Sequence, residues 1–265
     1  MPVSDAIREG VIAIAREAAA AILEVYAGTI EVERKDDASP VTDADMAAHH
    51  VIVDGLRALT PDIPVLSEEC ADDVAAAERL RWPRLWLVDP LDGTREFIKR
   101  NGEFSVNIAL IEDGVATFGV IQQPVTGTLW FGAPGRGAWV RDGAGERGLH
   151  ARRREDGAPL RVAASRSHRD GRTEALMARI GPIELLALGS SLKFCWLAEG
   201  RMDVYPRFGP TSEWDTAAGQ AILEGAGGIL VDPRGRPFRY NQRETILNGD
   251  FIALGDPSLP WQEWL

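Results

Sequence analysis

The sequence predicts an α/β protein in which an α+β half lies beside an α/β half. Three observations carry that expectation. Two amphipathic helical stretches open the chain, a run of short strands separated by turn residues fills its middle, and strands then alternate with helices to the end.

Residues 4–26 place Ile7, Val11, Ile14, Ala18, Ile22 and Val25 at helical spacing, with Ser4 as N-cap and Gly28 as stop. A second helix is expected over residues 43–59, after Ser39-Pro40-Val41-Thr42, with Met46, Ile52, Val53 and Leu56 on its apolar face. Ile63-Pro64-Val65-Leu66 reads as a short strand, and Leu85-Trp86-Leu87-Val88 as a buried one. Residues 104–111, 115–122, 128–131 and 138–141 form a meander, punctuated by turn signals at Asp113-Gly114, 124–127 and 134–137. Residues 142–159 are polar and Gly-rich and are expected to be a surface connection. Their run Arg152-Arg153-Arg154 suits a phosphate, but a solvated loop is the preferred reading.

Strands over residues 160–165, 183–188, 202–205 and 229–232 then alternate with helices over 172–180, 191–199 and 214–224. The cluster Gly225-Ala226-Gly227-Gly228 follows a helix, whereas a dinucleotide-binding loop precedes one, so it reads as a helix stop.

Composition excludes some functions. With 29 basic against 40 acidic residues and a formal charge of -11, the chain lacks the cationic excess that a nucleic-acid polymer requires. A small anion remains admissible, because a bound cation reverses the local sign of an acidic site. Cys70 and Cys195 are far apart and in no metal-type spacing, which points to packing roles and a reducing cytoplasm. Arg8, Arg16, Glu17 and Glu24 interrupt the apolar N-terminal stretch, so neither a signal peptide nor a transmembrane segment is expected.

The most informative stretch is Asp89-Pro90-Leu91-Asp92-Gly93-Thr94, directly after the buried strand. Carboxylates there are costly to keep ionised unless a positive partner sits between them, and a divalent cation is the simplest one. Pro90 and Gly93 shape the turn, and Gly93 lets backbone approach a ligand. Glu68-Glu69 and Asp215 are two further acidic islands. Singly, each has a structural reading: a solvated loop, a turn former, a favourable charge near a helix N-terminus. Together they offer enough oxygens for two or more magnesium ions.

Glu68-Glu69, the Asp89–Thr94 motif and Trp214-Asp215-Thr216-Ala217-Ala218-Gly219 resemble the signatures of the inositol monophosphatase superfamily of magnesium-dependent, lithium-sensitive phosphatases. The match spans essentially the whole chain. Segments around Ser39, Ser67, 96–104, 165–168, 189–194 and 205–211 are similar to its bacterial CysQ branch, the 3'(2'),5'-bisphosphate nucleotidases. The resemblance implies the layered α/β sandwich of the sugar-phosphatase fold. It also implies a single catalytic unit with a metal-binding α+β half over 1–155 and an α/β half over 156–265.

The metal ligands it implies are Glu68, Asp89, the Leu91 main-chain carbonyl, Asp92 and Asp215. Asp89 would bridge two magnesium ions, with Glu68 and Leu91 completing one site and Asp92 and Asp215 the other. A third ion would share Glu68, and Glu69 would orient a water on it. Glu68, Leu91, Asp92 and Asp215 would also meet the substrate, together with the N–H groups of Gly93 and Thr94, which would receive phosphate oxygens. The Thr94 hydroxyl and Asp45 match the family's water-activating pair. Ser191, Lys193 and Arg207 lie in branch-specific segments; the two cations suit a second, uncleaved phosphate, and His168 the adenine. Each has a plain reading as surface charge or structural histidine, which for His168 alone is preferred. His49 and His50 read as packing or solvated residues.

The implied activity is removal of the 3'-phosphate from adenosine 3',5'-bisphosphate, with its sulfated precursor as a second substrate, in sulfur assimilation. The substrate partner is therefore a small nucleoside bisphosphate, hydrolysed in the cytoplasm or loosely at the inner membrane by a monomer or homodimer. Inositol or sugar phosphate hydrolysis is the rival within the class, and a non-catalytic metal- or nucleotide-binding protein the rival outside it.

Overall fold

Along the central strands, successive side chains are buried on opposite faces, and this alternation decides the layering. The computed structural model describes residues 3–28, 32–34, 40–153, 157–164 and 171–265. Helix α1 (Asp5–Ala27) is followed by a hairpin of β1 (Val32–Arg34) and β2 (Pro40–Thr42), then α2 (Asp43–Leu59). Next come β3 (Val65–Ser67), a 3-10 turn (Glu68–Asp73), α3 (Ala76–Arg79), β4 (Arg84–Asp92) and α4 (Thr94–Ile98). A meander follows: β5 (Ser105–Glu112), β6 (Val115–Gln122), β7 (Leu129–Ala133), β8 (Gly137–Asp142) and β9 (Gly145–Leu149). The remainder is β10 (Leu160–Ala164), α5 (Gly171–Ile180), β11 (Ile183–Ala187), α6 (Leu192–Ala198), β12 (Val204–Arg207), α7 (Glu213–Gly225), β13 (Ile229–Val231) and β14 (Phe251–Leu254).

Strands β3 to β9 form a seven-stranded sheet in sequence order, antiparallel except for the parallel β3–β4 pair. The second sheet has five strands in the order β11-β10-β12-β14-β13. On β4, Trp86 and Val88 pack toward α1 and α2, while Leu85 and Leu87 face the core shared with α6 and α7. On the second sheet, Tyr205, Phe251 and Ala253 join that shared core. Val204, Ile252 and Leu254 instead pack with Leu176 of α5 and with Trp261 and Trp264. The result is a helix–sheet–helix–sheet–helix stack, the layered α/β sandwich expected. Helix α7 lies very close to the first sheet: a Cβ on Gly119 would sit 2.4 Å from the Ala218 carbonyl oxygen, so only hydrogen fits.

Both opening helices match their expected spans, and the Ser4 hydroxyl accepts the Ile7 N–H at 3.3 Å. Four expectations need correction. Met46 is 38% exposed; Ala44, Ala48, Ile52 and Leu56 form the buried face of α2 instead. The Leu85 strand does not stop before Asp89 but runs through Asp92. The supposed surface connection contains β9, an edge strand with only Leu149 buried, so its burial could not appear as hydrophobic alternation. Strand β14 was missed because Phe251–Leu254 is a four-residue apolar run buried on both faces, too short to show a period. Cys70 and Cys195 are free thiols, Cys195 within the central core. Among the described residues, no helix is long and apolar enough to cross a membrane. Ser39, Arg154, residues 165–168 and the half-boundary at 155–156 lie outside the described residues.

Candidate metal centre and adjoining cleft

The acidic motif works through a bulge in β4. Asp89 pairs with Asn107 and Asp92 with Ser105, so two residues of β4, Pro90 and Leu91, face only Val106 on β5. In a regular strand, residues three apart point to opposite faces; the extra residue turns Asp89 and Asp92 to the same side. Pro90 tolerates that break because it has no ladder N–H to lose. The Asp89 Oδ1 accepts the Leu91 N–H at 3.0 Å, closing the local turn.

Asp215 arrives from the other layer. It is the third residue of α7 and forms a reciprocal cap with Ser212, whose N–H it accepts at 2.8 Å. One carboxylate oxygen from each of Asp89, Asp92 and Asp215 lies within 4.8 Å of the others. Burial pushes the Asp89 carboxyl well above the usual carboxylate range, followed by the charges of Glu68, Asp92, Asp215 and Asp45. Asp215 is raised in the same way, by burial and then by Asp92 and Glu68. The charges that act most strongly on Asp89 are all negative, while Lys193 and Arg207 draw Asp92 and Asp215 the other way; buried hard oxygens converging in this manner fit a divalent metal. Glu68 opens the 3-10 turn directly after β3, with Glu69 beside it.

Asp45 stands at the third position of α2, where its Oδ2 accepts both the N–H and the hydroxyl of Thr42 at 2.7 Å. Its other oxygen faces the Thr94 hydroxyl at 3.4 Å, and Thr94 is equally far from the Leu91 carbonyl. Gly93, between motif and helix α4, has φ +97°, and a Cβ there would come within 3.2 Å of the Glu103 carbonyl oxygen. Both the left-handed backbone and the close approach require glycine.

Asp92 and Asp215 of the acidic trio line a cleft of ≈ 150 Å³, together with Gly93, Ser191, Lys193 and Arg207. Ser191 is committed to structure: its N–H donates to Asp92 at 2.5 Å, and its hydroxyl donates to Asn107 at 2.7 Å. The Lys193 ammonium donates to the carbonyls of Leu188 and Ser190 and lies 5.1 Å from the centre of the Tyr205 ring. Burial pushes it down to about 8, opposed by the charge of Asp92. Arg207 differs. One Nη donates to the Pro210 carbonyl at 3.0 Å, but its buried Nε has no hydrogen-bond partner among the described residues. An orphan cationic donor in a cleft wall fits an anion that binds there.

His168 lies outside the described residues; the other expected site residues gather around this cleft or the adjoining turn. Asn107 and Ser105, which join Asp92 and Ser191 into one network, were missed. A polar amide inside the apolar strand Val106-Asn107-Ile108 was the available signal.

The model of the Inositol monophosphatase family matches residues 4–255. The chain belongs to this family. It is 51% identical over 245 residues to the 3'(2'),5'-bisphosphate nucleotidase CysQ of Salmonella typhimurium strain LT2, covering 92% of this chain and 97% of the relative. It is 50% identical over 240 residues to the protein of the same name from Escherichia coli K12, covering 90% and 95%. The crystal structure of CysQ from Bacteroides thetaiotaomicron superposes with a TM-score of 0.80 at 40% identity, covering 93% of this chain and 96% of that one. The whole layered architecture is shared with that family member.

Proposed function

We propose that this protein is a magnesium-dependent 3'(2'),5'-bisphosphate nucleotidase, converting adenosine 3',5'-bisphosphate to AMP and phosphate. 3'-Phosphoadenylyl sulfate is a second substrate, and the role belongs to sulfur assimilation in the cytoplasm. One observation carries the reading: a single cleft is lined by Asp92 and Asp215, whose carboxylates converge with that of Asp89, and also by Lys193 and by Arg207 with its orphan donor. A substrate with two phosphates, one cleaved and one held, matches both groups. The names and identities of the bacterial relatives point the same way.

Glu68, Asp89, the Leu91 carbonyl, Asp92 and Asp215 would hold two magnesium ions, with a third sharing Glu68. Bound there, the metal supplies Lewis-acid chemistry, neutralising phosphate charge and lowering the pKa of water. The chain's own groups orient and position. The Thr94 hydroxyl directs a water toward phosphorus and Asp45 accepts the proton through it, while Glu69 orients a further water. The N–H groups of Gly93 and Thr94 receive phosphate oxygens. Arg207 binds the uncleaved phosphate, with the third N–H of Lys193 in support and Ser191 shaping the wall. We assign both halves, 1–155 and 156–265, to one catalytic unit, since Asp215 reaches the cleft from the second.

The direct test is phosphate release from adenosine 3',5'-bisphosphate and inositol 1-phosphate, each with and without magnesium. Magnesium-dependent preference for the nucleotide supports the proposal, and preference for the inositol phosphate overturns it. Arg207→Ala should lower kcat/KM for the bisphosphate by about ten- to a hundredfold, the worth of one charge-assisted bond. Adenosine 3'-monophosphate, lacking the second phosphate, should lose little; equal losses would remove Arg207 from that role.

Metal removal has a signed consequence. Asp89 and Asp215 hold their protons more tightly in the folded, metal-free protein than in the unfolded chain, where 3.8 is the ordinary value. Their contribution to stability is fully present below that value and is lost as pH rises through the folded values. After chelation, the Tm of wild type relative to Asp89→Asn should therefore fall from acidic to neutral pH, and magnesium should restore it. A pH-independent difference in chelated samples would refute the assignment.

A further inference from the structure

His49 stands one helical turn after Asp45 on the inward face of α2, and both side chains are buried. Its Nδ1 lies 2.9 Å from the Ser67 hydroxyl. Ser67 has no exposed surface, ends β3, and pairs in parallel register with Val88 of β4. The residues that follow this pair are Glu68 and Asp89. The hydrogen bond therefore links α2 to β3 at the point where β3 and β4 enter the acidic centre. Burial holds the His49 imidazolium below its ordinary pKa, which keeps the ring neutral, with one nitrogen donating and the other accepting.

We propose that His49 is a positioning residue for the metal centre: by holding Ser67, it sets where the turn carrying Glu68 begins relative to the Asp45 face of α2. The inference rests on the reading of Glu68 as a metal ligand. A partner one bond removed from a ligand commonly controls its orientation, and its loss weakens metal binding. Here the control runs through the strand end rather than through the ligand's own oxygens. Ser67 can make this bond only because it is a serine, so the residue before Glu68 carries part of the site's geometry.

Mn2+ binding to the chelated protein without substrate, followed by the electron paramagnetic resonance of free Mn2+, tests this apart from turnover. Ser67→Ala and His49→Phe should each weaken Mn2+ binding about tenfold, and the double variant no further. His49→Asn, whose amide nitrogen can take the place of Nδ1, should stay within about twofold of wild type. Tm values establish that each variant is folded, and Ser67→Ala, the smaller change, stands if His49→Phe does not fold. Unchanged Mn2+ affinity in folded Ser67→Ala, or equal weakening by His49→Asn and His49→Phe, overturns the inference. Glu68→Gln separates the two levels. If it weakens Mn2+ binding while Ser67→Ala does not, only the positioning role falls; if it is silent, the ligand reading falls and the inference with it.

Discussion

Asp92→Asn should lower kcat/KM for adenosine 3',5'-bisphosphate by about a thousandfold at saturating magnesium. The substitution removes one negative charge from the trio while keeping an oxygen that accepts the Ser191 N–H. The loop that begins α6 should therefore stay in place, and what is lost is the metal-holding charge. A several-kcal/mol contribution to stabilising a phosphoryl transition state corresponds to a loss of this size. Stability should move the other way. Asp92 is itself pushed up by burial, so the chelated variant should melt no lower than chelated wild type. Turnover with magnesium and Tm after chelation decide it together. Most activity surviving with normal magnesium dependence would remove Asp92 from the ligand set.

Asp45→Asn should reduce kcat by about a hundredfold or more, the usual worth of a positioned general base. Asp45 has two separate duties: Oδ2 caps α2 through Thr42, and Oδ1 faces the Thr94 hydroxyl. Asparagine can still accept the Thr42 N–H, so the helix start survives and the lost function is proton acceptance. Because Asp45 acts through Thr94, Thr94→Ala should cost a similar amount and the double variant little more. Thr94→Ser keeps the hydroxyl and should retain most of the rate. Single-turnover rates with KM measured alongside provide the check. Additive losses in the double variant would mean that the two residues act independently, and the pair would not be a relay.

The acidic motif was legible because its residue types have few other uses at the end of a buried strand. Asp89, Asp92 and Gly93 sit within five positions, and both the turn chemistry and the cost of buried charge can be argued from local sequence alone. The first helix cap was legible for the same reason, since Ser4 acts on backbone three residues away; the Thr42 cap of α2 emerged only in the structure. Strand β9 was not, since its pairing with β8 leaves four of its five residues exposed.

Lys193 and Arg207 mark the boundary more sharply. As cations in neighbouring segments they were equivalent in sequence, and three-dimensional surroundings separate them. Lys193 is turned onto the carbonyls of Leu188 and Ser190, whereas the Arg207 Nε has no partner among the described residues. Asn107 and Ser191 likewise join only because β5 and the start of α6 meet, 84 residues apart in the chain. His49 gained a partner in Ser67 through the packing of α2 against β3.

By itself, then, the sequence determined the chemistry available to this protein: its carboxylates, its helix caps, its strand and helix periods, and the motif that places it in its family. These depend on residue type and short spacing, which local backbone geometry converts directly into structure. Only the tertiary structure decided which side chains spend their hydrogen bonds on the fold and which remain open to a ligand. That choice depends on contacts between residues distant in sequence, and the number of alternative pairings leaves no local signal to choose among them.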